Sequence, residues 1–301
     1  MAEKKDFAKK QHYIPRFSIK PFEITEGYCL TVILKTTPFK TTRMSTKNIM
    51  QEKDLYEVKD TDGEYVNRNK IENIYSKIES SIAHSFREFV PLLASDEVDV
   101  EFKKNFATEE WQRNETNLLE HLIFTLIRSP HLKNLIYENT EIPILIKPIF
   151  YRLVTTTREN AIELANELYI EDELKYVLRF LKTSPEGGLK LLYEYVMNNF
   201  QLRIYKIRGK KKFFLSDRPI LVNKVEEADY VLPISPNICI GATPFEGEPS
   251  PYNQIIYLSD DDVNRINKNI IENTEKMLII QSDTDLEFVK ECKFIQSAMK
   301  K

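Results

Sequence analysis

The chain has 301 residues, 42% of them hydrophobic and 30% charged, with a formal charge of −3 at pH 7. That balance fits a globular protein with a sizeable core and excludes a disordered chain. It supplies no overall positive field for nucleic acid, and only 7 glycines argue against Gly-rich phosphate loops.

In chain order, residues 1–10 are charged and read as a flexible N-terminus, with 11–301 as a single α+β domain. The β-branched run 28–35 reads as a strand, and 54–58 and 64–66 flank the hairpin turn Asp60-Thr61-Asp62-Gly63. Ile71, Ile74, Tyr75, Ile78, Ile82 and Phe86 recur at helical spacing and predict a helix over 69–89. A second helix runs from an N-cap at Thr108 to Arg128, where Ser129-Pro130 stops it. Further helices are predicted over 158–169, 171–182 and 187–199.

Strand character returns at 201–207, which Lys210-Lys211-Lys212 turns into Phe213–Leu215, and again at 230–232, 238–240, 255–258 and 277–280. Ser259 caps a helix with an acidic first turn, Asp260-Asp261-Asp262, and residues 283–299 close as a helix. The expected class is α+β: one mixed, mostly antiparallel sheet built from both chain ends, with a helical middle segment at about 69–199.

Cys29, Cys239 and Cys292 are far apart, so neither a zinc knuckle nor a disulfide framework is expected. No apolar run approaches the roughly 18 residues of a membrane span, and the first residues lack an apolar leader segment. A cytoplasmic protein without membrane contact is expected. No HExxH, Walker-type, GxGxxG or EF-hand pattern occurs, so no metal or cofactor is expected.

Candidate chemistry sits in three places. The segment Gln11-His12-Tyr13-Ile14-Pro15-Arg16-Phe17 places a histidine among an amide, two aromatics, a proline and an arginine. It is either pinned by Tyr13 and Phe17 or delivers His12 and Arg16 to a site. On the second helix, Asn117, His121, Thr125 and Arg128 share one edge, which suits anion recognition or, alternatively, a solvated face with Arg128 on helix-end carbonyls. Ser216-Asp217-Arg218-Pro219 puts a hydroxyl and a carboxylate after a strand, for a site or a turn. Ser235, in Pro233-Ile234-Ser235-Pro236, lacks a nucleophile-elbow setting and reads as a structural turn.

Together the N-terminal motif, Arg128-Ser129-Pro130, Ser216-Asp217-Arg218-Pro219 and Leu232-Pro233-Ile234-Ser235-Pro236 resemble the DUF4238 family, in that family's order over about 10–275. Arg218 departs from the small polar residue common in the family between that aspartate and proline. The resemblance implies a grouping without a reaction, and it favours convergence of His12, Arg128, Asp217 and Ser235. The implied catalytic set is Arg128 to stabilise charge, His12 to transfer a proton and Asp217 to orient it, with Gln11, Arg16, His121 and Ser216 binding substrate. The matching activity is cleavage of RNA or a nucleotide by a nuclease in a toxin or antiviral-defence setting. The alternative is a non-enzymatic binding or regulatory module in which the same residues are structural. Whether the chain is an enzyme, and which protein partners it has, are left open by the residues.

Overall fold

A computed structural model describes residues 10–170, 188–225, 228–244 and 254–299. Its secondary structure is α+β with mostly antiparallel sheets. The helix expected over 171–182 and most of the expected N-terminal arm lie outside the described residues. The chain divides into two compact units, one of residues 1–13, 51–80 and 123–196, the other of 14–50, 81–122 and 197–301.

In the first unit, β1 (Lys10–His12) pairs antiparallel with β4 (Gln51–Lys53), so the N-terminal motif begins as a strand rather than an arm. The short strands β5 (Val58–Lys59) and β6 (Tyr65–Val66) form the expected hairpin. Gly63 takes a φ of +83° in its turn, a conformation that costs glycine little. Helix α2 (Lys70–Ala94) begins in this unit, and α5 (Pro130–Glu138), α6 (Lys147–Thr155) and α7 (Arg158–Glu167) follow, with most of α8 (Gly188–Asn199). Ile149, Leu153, Ala161, Leu164 and Ala165 close a small core with Val58 and Val66. At Gly188, where α8 starts, a Cβ would sit 3.0 Å from the Val154 Cα of α6, a tight approach that favours glycine.

The second unit holds two sheets. One has the order β12-β7-β11-β10-β9: β12 (Ile255–Leu258), β7 (Phe200–Ile207), β11 (Ile238–Pro244), β10 (Ala228–Ser235) and β9 (Leu221–Val225). Only the β12–β7 pairing is parallel. The other is antiparallel, with the order β3-β2-β13-β8: β3 (Thr41–Ser45), β2 (Tyr28–Ile33), β13 (Met277–Ile280) and β8 (Leu215–Ser216). Helices α9 (Asp260–Asn273) and α10 (Asp285–Met299) contribute Val263, Ile266, Ile270 and Val289 to a core that includes Val32, Phe213, Val231 and Leu278.

Two expectations are corrected here. The strand runs divide between two sheets, and 208–214 is no hairpin tip, because it carries the chain from the five-stranded sheet to the four-stranded one. Phe213 and Phe214, at the end of this segment, are both buried. The pair leaves the ladder, and the backbone N–H of Phe214 donates instead to Asn267 Oδ1 at 3.0 Å, while Asn267 Nδ2 donates to the Lys212 carbonyl at 2.7 Å. Helix α2 also runs past the expected end at Phe89 and carries Pro91 inside it. Phe89, Val90 and Leu93 are all buried, and this continued apolar face outweighs the proline penalty.

Other local signals appear as expected. Ser259 and Asp262 form a reciprocal capping box on α9. The Ser235 hydroxyl accepts from the N–H groups of Asn237 and Ile238 at 3.2 and 3.0 Å, which makes it a turn residue of the β10–β11 hairpin. Among the described residues, no helix is long and apolar enough to cross a membrane.

Helix α4 (Glu109–Ile127) is capped by Thr108, whose hydroxyl accepts the Trp111 N–H at 3.3 Å. One turn on, the Glu115 carboxylate accepts from Trp111 Nε1 at 2.6 Å and from the Gln254 amide. Burial pushes this carboxyl up to about 7, against the pull of those two donors. Between the ordinary carboxyl range and about pH 7, the folded chain therefore holds a proton that the unfolded chain has released. Stability should fall as pH rises through that window and level off above it. Glu115→Gln keeps an acceptor for both donors and should flatten this slope, raising the melting temperature at pH 8. Melting curves from pH 5 to 8 check it, and an unchanged slope in the variant would contradict it.

Candidate functional site

The polar centre of the first unit forms around Arg128, one residue past the end of α4 and 2% exposed. Its Nε donates to the Tyr56 hydroxyl at 3.2 Å, Nη1 to Glu79 of α2, and Nη2 to the backbone carbonyl of His12. The Tyr56 hydroxyl in turn donates to the Arg128 carbonyl at 3.4 Å, which helps close the helix end. The Tyr75 ring lies 4.8 Å from the guanidinium carbon. Burial works against the charge, but Tyr56, Glu72 and Tyr75 outweigh it and leave the Arg128 pKa above its ordinary value.

The same frame fixes the N-terminal motif. Gln11 is buried, accepts the Tyr56 N–H at 2.8 Å and donates to Glu57 at 2.5 Å. Glu57 then accepts the Asn69 N–H through both oxygens, at 3.2 and 3.1 Å, where the chain enters α2. Lys133 donates to the Leu55 carbonyl. Asp54, Asn67 and Asn69 have φ of 50°, 51° and 61°, the left-handed region that Asx residues tolerate best. His12 contributes its backbone carbonyl to this frame.

The remaining expected residues lie in the second unit. His121 is buried between the rings of Phe17 and Phe86, with centroids 5.6 and 4.8 Å away, and burial lowers its pKa to about 3. It is a neutral core imidazole at physiological pH, without the charge that anion recognition needs. Asn117, on the same helix edge, exchanges hydrogen bonds with Ser81 and Ser85 of α2. The solvated-face reading is therefore corrected: Asn117, His121, Thr125 and Arg128 are 6%, 2%, 3% and 2% exposed.

Ser216 is buried on β8, and its hydroxyl accepts the Arg218 N–H at 3.2 Å, an ordinary serine turn. The Asp217 carboxylate accepts the N–H groups of Glu275 and Lys276 at 3.0 and 2.7 Å. Burial raises its pKa, while those two donors oppose the rise. Arg16 opens the short helix α1 (Arg16–Ile19) and is exposed. Tyr13 is buried and Phe17 half-buried, so the motif is pinned by its aromatics.

His12 and Arg128 thus share a unit and one hydrogen bond, and Asp217 belongs to the other unit, with both oxygens engaged there. Sequence reasoning missed Tyr56, Glu57, Glu79 and Arg152. Arg152 left a signal, as a lone charge within the apolar run Ile149–Val154. Tyr56 and Glu79 left none, because their partner lies 72 and 49 residues away. Among the described residues, no group of three or more His, Cys, Asp or Glu side chains could hold a metal ion.

The chain belongs to the family described as "Protein of unknown function (DUF4238)", whose profile matches residues 10–284. Comparison with curated proteins and with solved structures returned no match.

Asp217→Asn leaves one oxygen for two buried N–H donors and turns an amide NH2 toward one of them. It should cost about 1–3 kcal/mol of folding stability. Urea denaturation measures this directly, and an unshifted midpoint would contradict the positioning role.

Proposed function

We propose that this protein is a binding module in which His12, Arg128 and Asp217 are framework residues rather than a catalytic set. The observation that carries this reading is the occupancy of Arg128, whose three nitrogens each have a protein partner at 2% exposure. A guanidinium that stabilises a transition state has to turn donors toward substrate. Here the fork is directed at Tyr56, Glu79 and the β1 backbone instead. The cleavage of RNA or a nucleotide by a His/Arg/Asp site asks more of Arg128 and Asp217 than their bonding leaves available. His121, neutral and ringed by phenylalanines, fits the same reading.

Arg128→Ala removes the partner of buried acceptors, and its fold should lose about 3–5 kcal/mol. Arg128→Lys should recover only part of this, because an ammonium cannot reach three diverging acceptors in one plane. His12→Ala keeps the backbone carbonyl that Arg128 uses, so its fold should lose less than that of Arg128→Ala. Denaturation curves read beside a nuclease and nucleotide-hydrolysis screen test the reading. Arg128→Ala and Arg128→Lys chains that stay as stable as the parent while losing a measured activity would overturn it.

A further inference from the structure

The first unit buries a second arginine, and its environment is the opposite of that of Arg128. Arg152 sits on α6 at 2% exposure, yet its Nε and Nη1 have no hydrogen-bond partner. Among the described residues, no carboxylate lies within ion-pair distance of it. The acidic groups that act on it electrostatically include Glu57, Glu163 and Glu167, none of them at ion-pair distance. Two are engaged elsewhere: Glu57 with Gln11 and Asn69, Glu163 with Lys70 at 3.1 and 2.9 Å. The neighbouring Tyr75 hydroxyl is directed to the Thr155 carbonyl at 3.3 Å. Next in the chain, the Tyr151 hydroxyl is also buried without a partner, its ring centroid 6.4 Å from that of Tyr137.

A guanidinium does not shed its charge by deprotonation as a lysine or carboxyl group does. Burying it unpaired is strongly unfavourable, and proteins retain such groups where something completes them. The unpartnered Nε and Nη1 of Arg152 are donors only, so the group that completes them is an acceptor, and the charge favours an anion. Arg128 shows that this unit is able to give every nitrogen of a buried guanidinium a partner from its own residues. Arg152, equally withdrawn from water, lacks such partners at Nε and Nη1.

We propose that Arg152 anchors a binding site for a small oxyanion, a phosphate or carboxylate group. The proposal deepens the binding reading above by naming the ligand chemistry and the residue that meets it.

The test uses the full chain in Tris chloride buffer, with calorimetric titration and melting curves in inorganic phosphate, adenosine monophosphate and acetate. At least one of these should bind saturably and raise the melting temperature. Phosphate and the monophosphate acting without acetate assign a phosphate site, and acetate acting alone assigns a carboxylate site. Arg152→Met should abolish binding and, without oxyanion, melt at or above the parent temperature, because an uncompensated charge has been removed. Arg152→Lys should fold and bind roughly tenfold or more weakly, having lost charge-assisted hydrogen bonds. The proposal is overturned if none of the three anions binds, or if Arg152→Met or Arg152→Lys binds as the parent does. It is overturned equally if Arg152→Met unfolds or melts well below the parent in oxyanion-free buffer, which would show that Arg152 serves the fold. None of these outcomes depends on Arg128, so failure here is separable from failure of the framework reading.

Discussion

One buried positive charge dictates the organisation of the N-terminal motif and its surroundings. Arg128 is withdrawn from water and keeps its charge, so its donors need fixed acceptors. The acceptors come from three separate stretches of chain: a phenol at 56, a carboxylate at 79 and a backbone carbonyl at 12. Holding the carbonyl of His12 holds β1, and Gln11 on the same strand then reaches the Tyr56 N–H and Glu57. Glu57 passes the constraint to Asn69 at the start of α2. Each link satisfies a polar group that burial would otherwise penalise, so the network is worth more intact than in parts.

The residues that look most chemical in this chain solve the same problem by different means. His121 escapes the cost of burial by staying neutral between two phenyl rings. Asp217 is held by two backbone N–H donors that precede β13. Ser216 and Ser235 turn the backbone through their hydroxyls. Sparse buried polar residues have two common origins, catalysis and fold specification, and their bonding distinguishes them. Saturation with protein partners marks the framework, and vacancy marks a place for something else. Arg152 is the buried arginine on the vacant side of that division.

Much of the secondary structure was legible from local chemistry. The Asp60–Gly63 turn, the Thr108 cap with its acidic first turn, the Ser129-Pro130 stop and the Ser259 box each act through residues a few positions apart. The partition into two sheets was not legible, because the backbone of Phe214, between them, is held by an asparagine 53 residues further along the chain. The end of α2 was not legible either, since the packing of Phe89, Val90 and Leu93 carries the helix through Pro91. At the site, Gln11, His12 and Arg128 were visible as an unusual set, but their role was not. Whether an arginine is free or saturated depends on Tyr56 and Glu79, and nothing in the spacing of the chain connects these to it.

The most direct test of the Arg128 framework is hydrogen exchange at the amides of residues 10–12 and Tyr56, compared between the parent chain and Arg128→Lys. Loss of the guanidinium fork should release β1, so those amides should exchange much faster in the variant. The amides of the β10–β11 hairpin in the other unit should keep their protection. Unchanged protection at residues 10–12 and Tyr56 in the variant would contradict the claim that Arg128 holds the N-terminal strand in place.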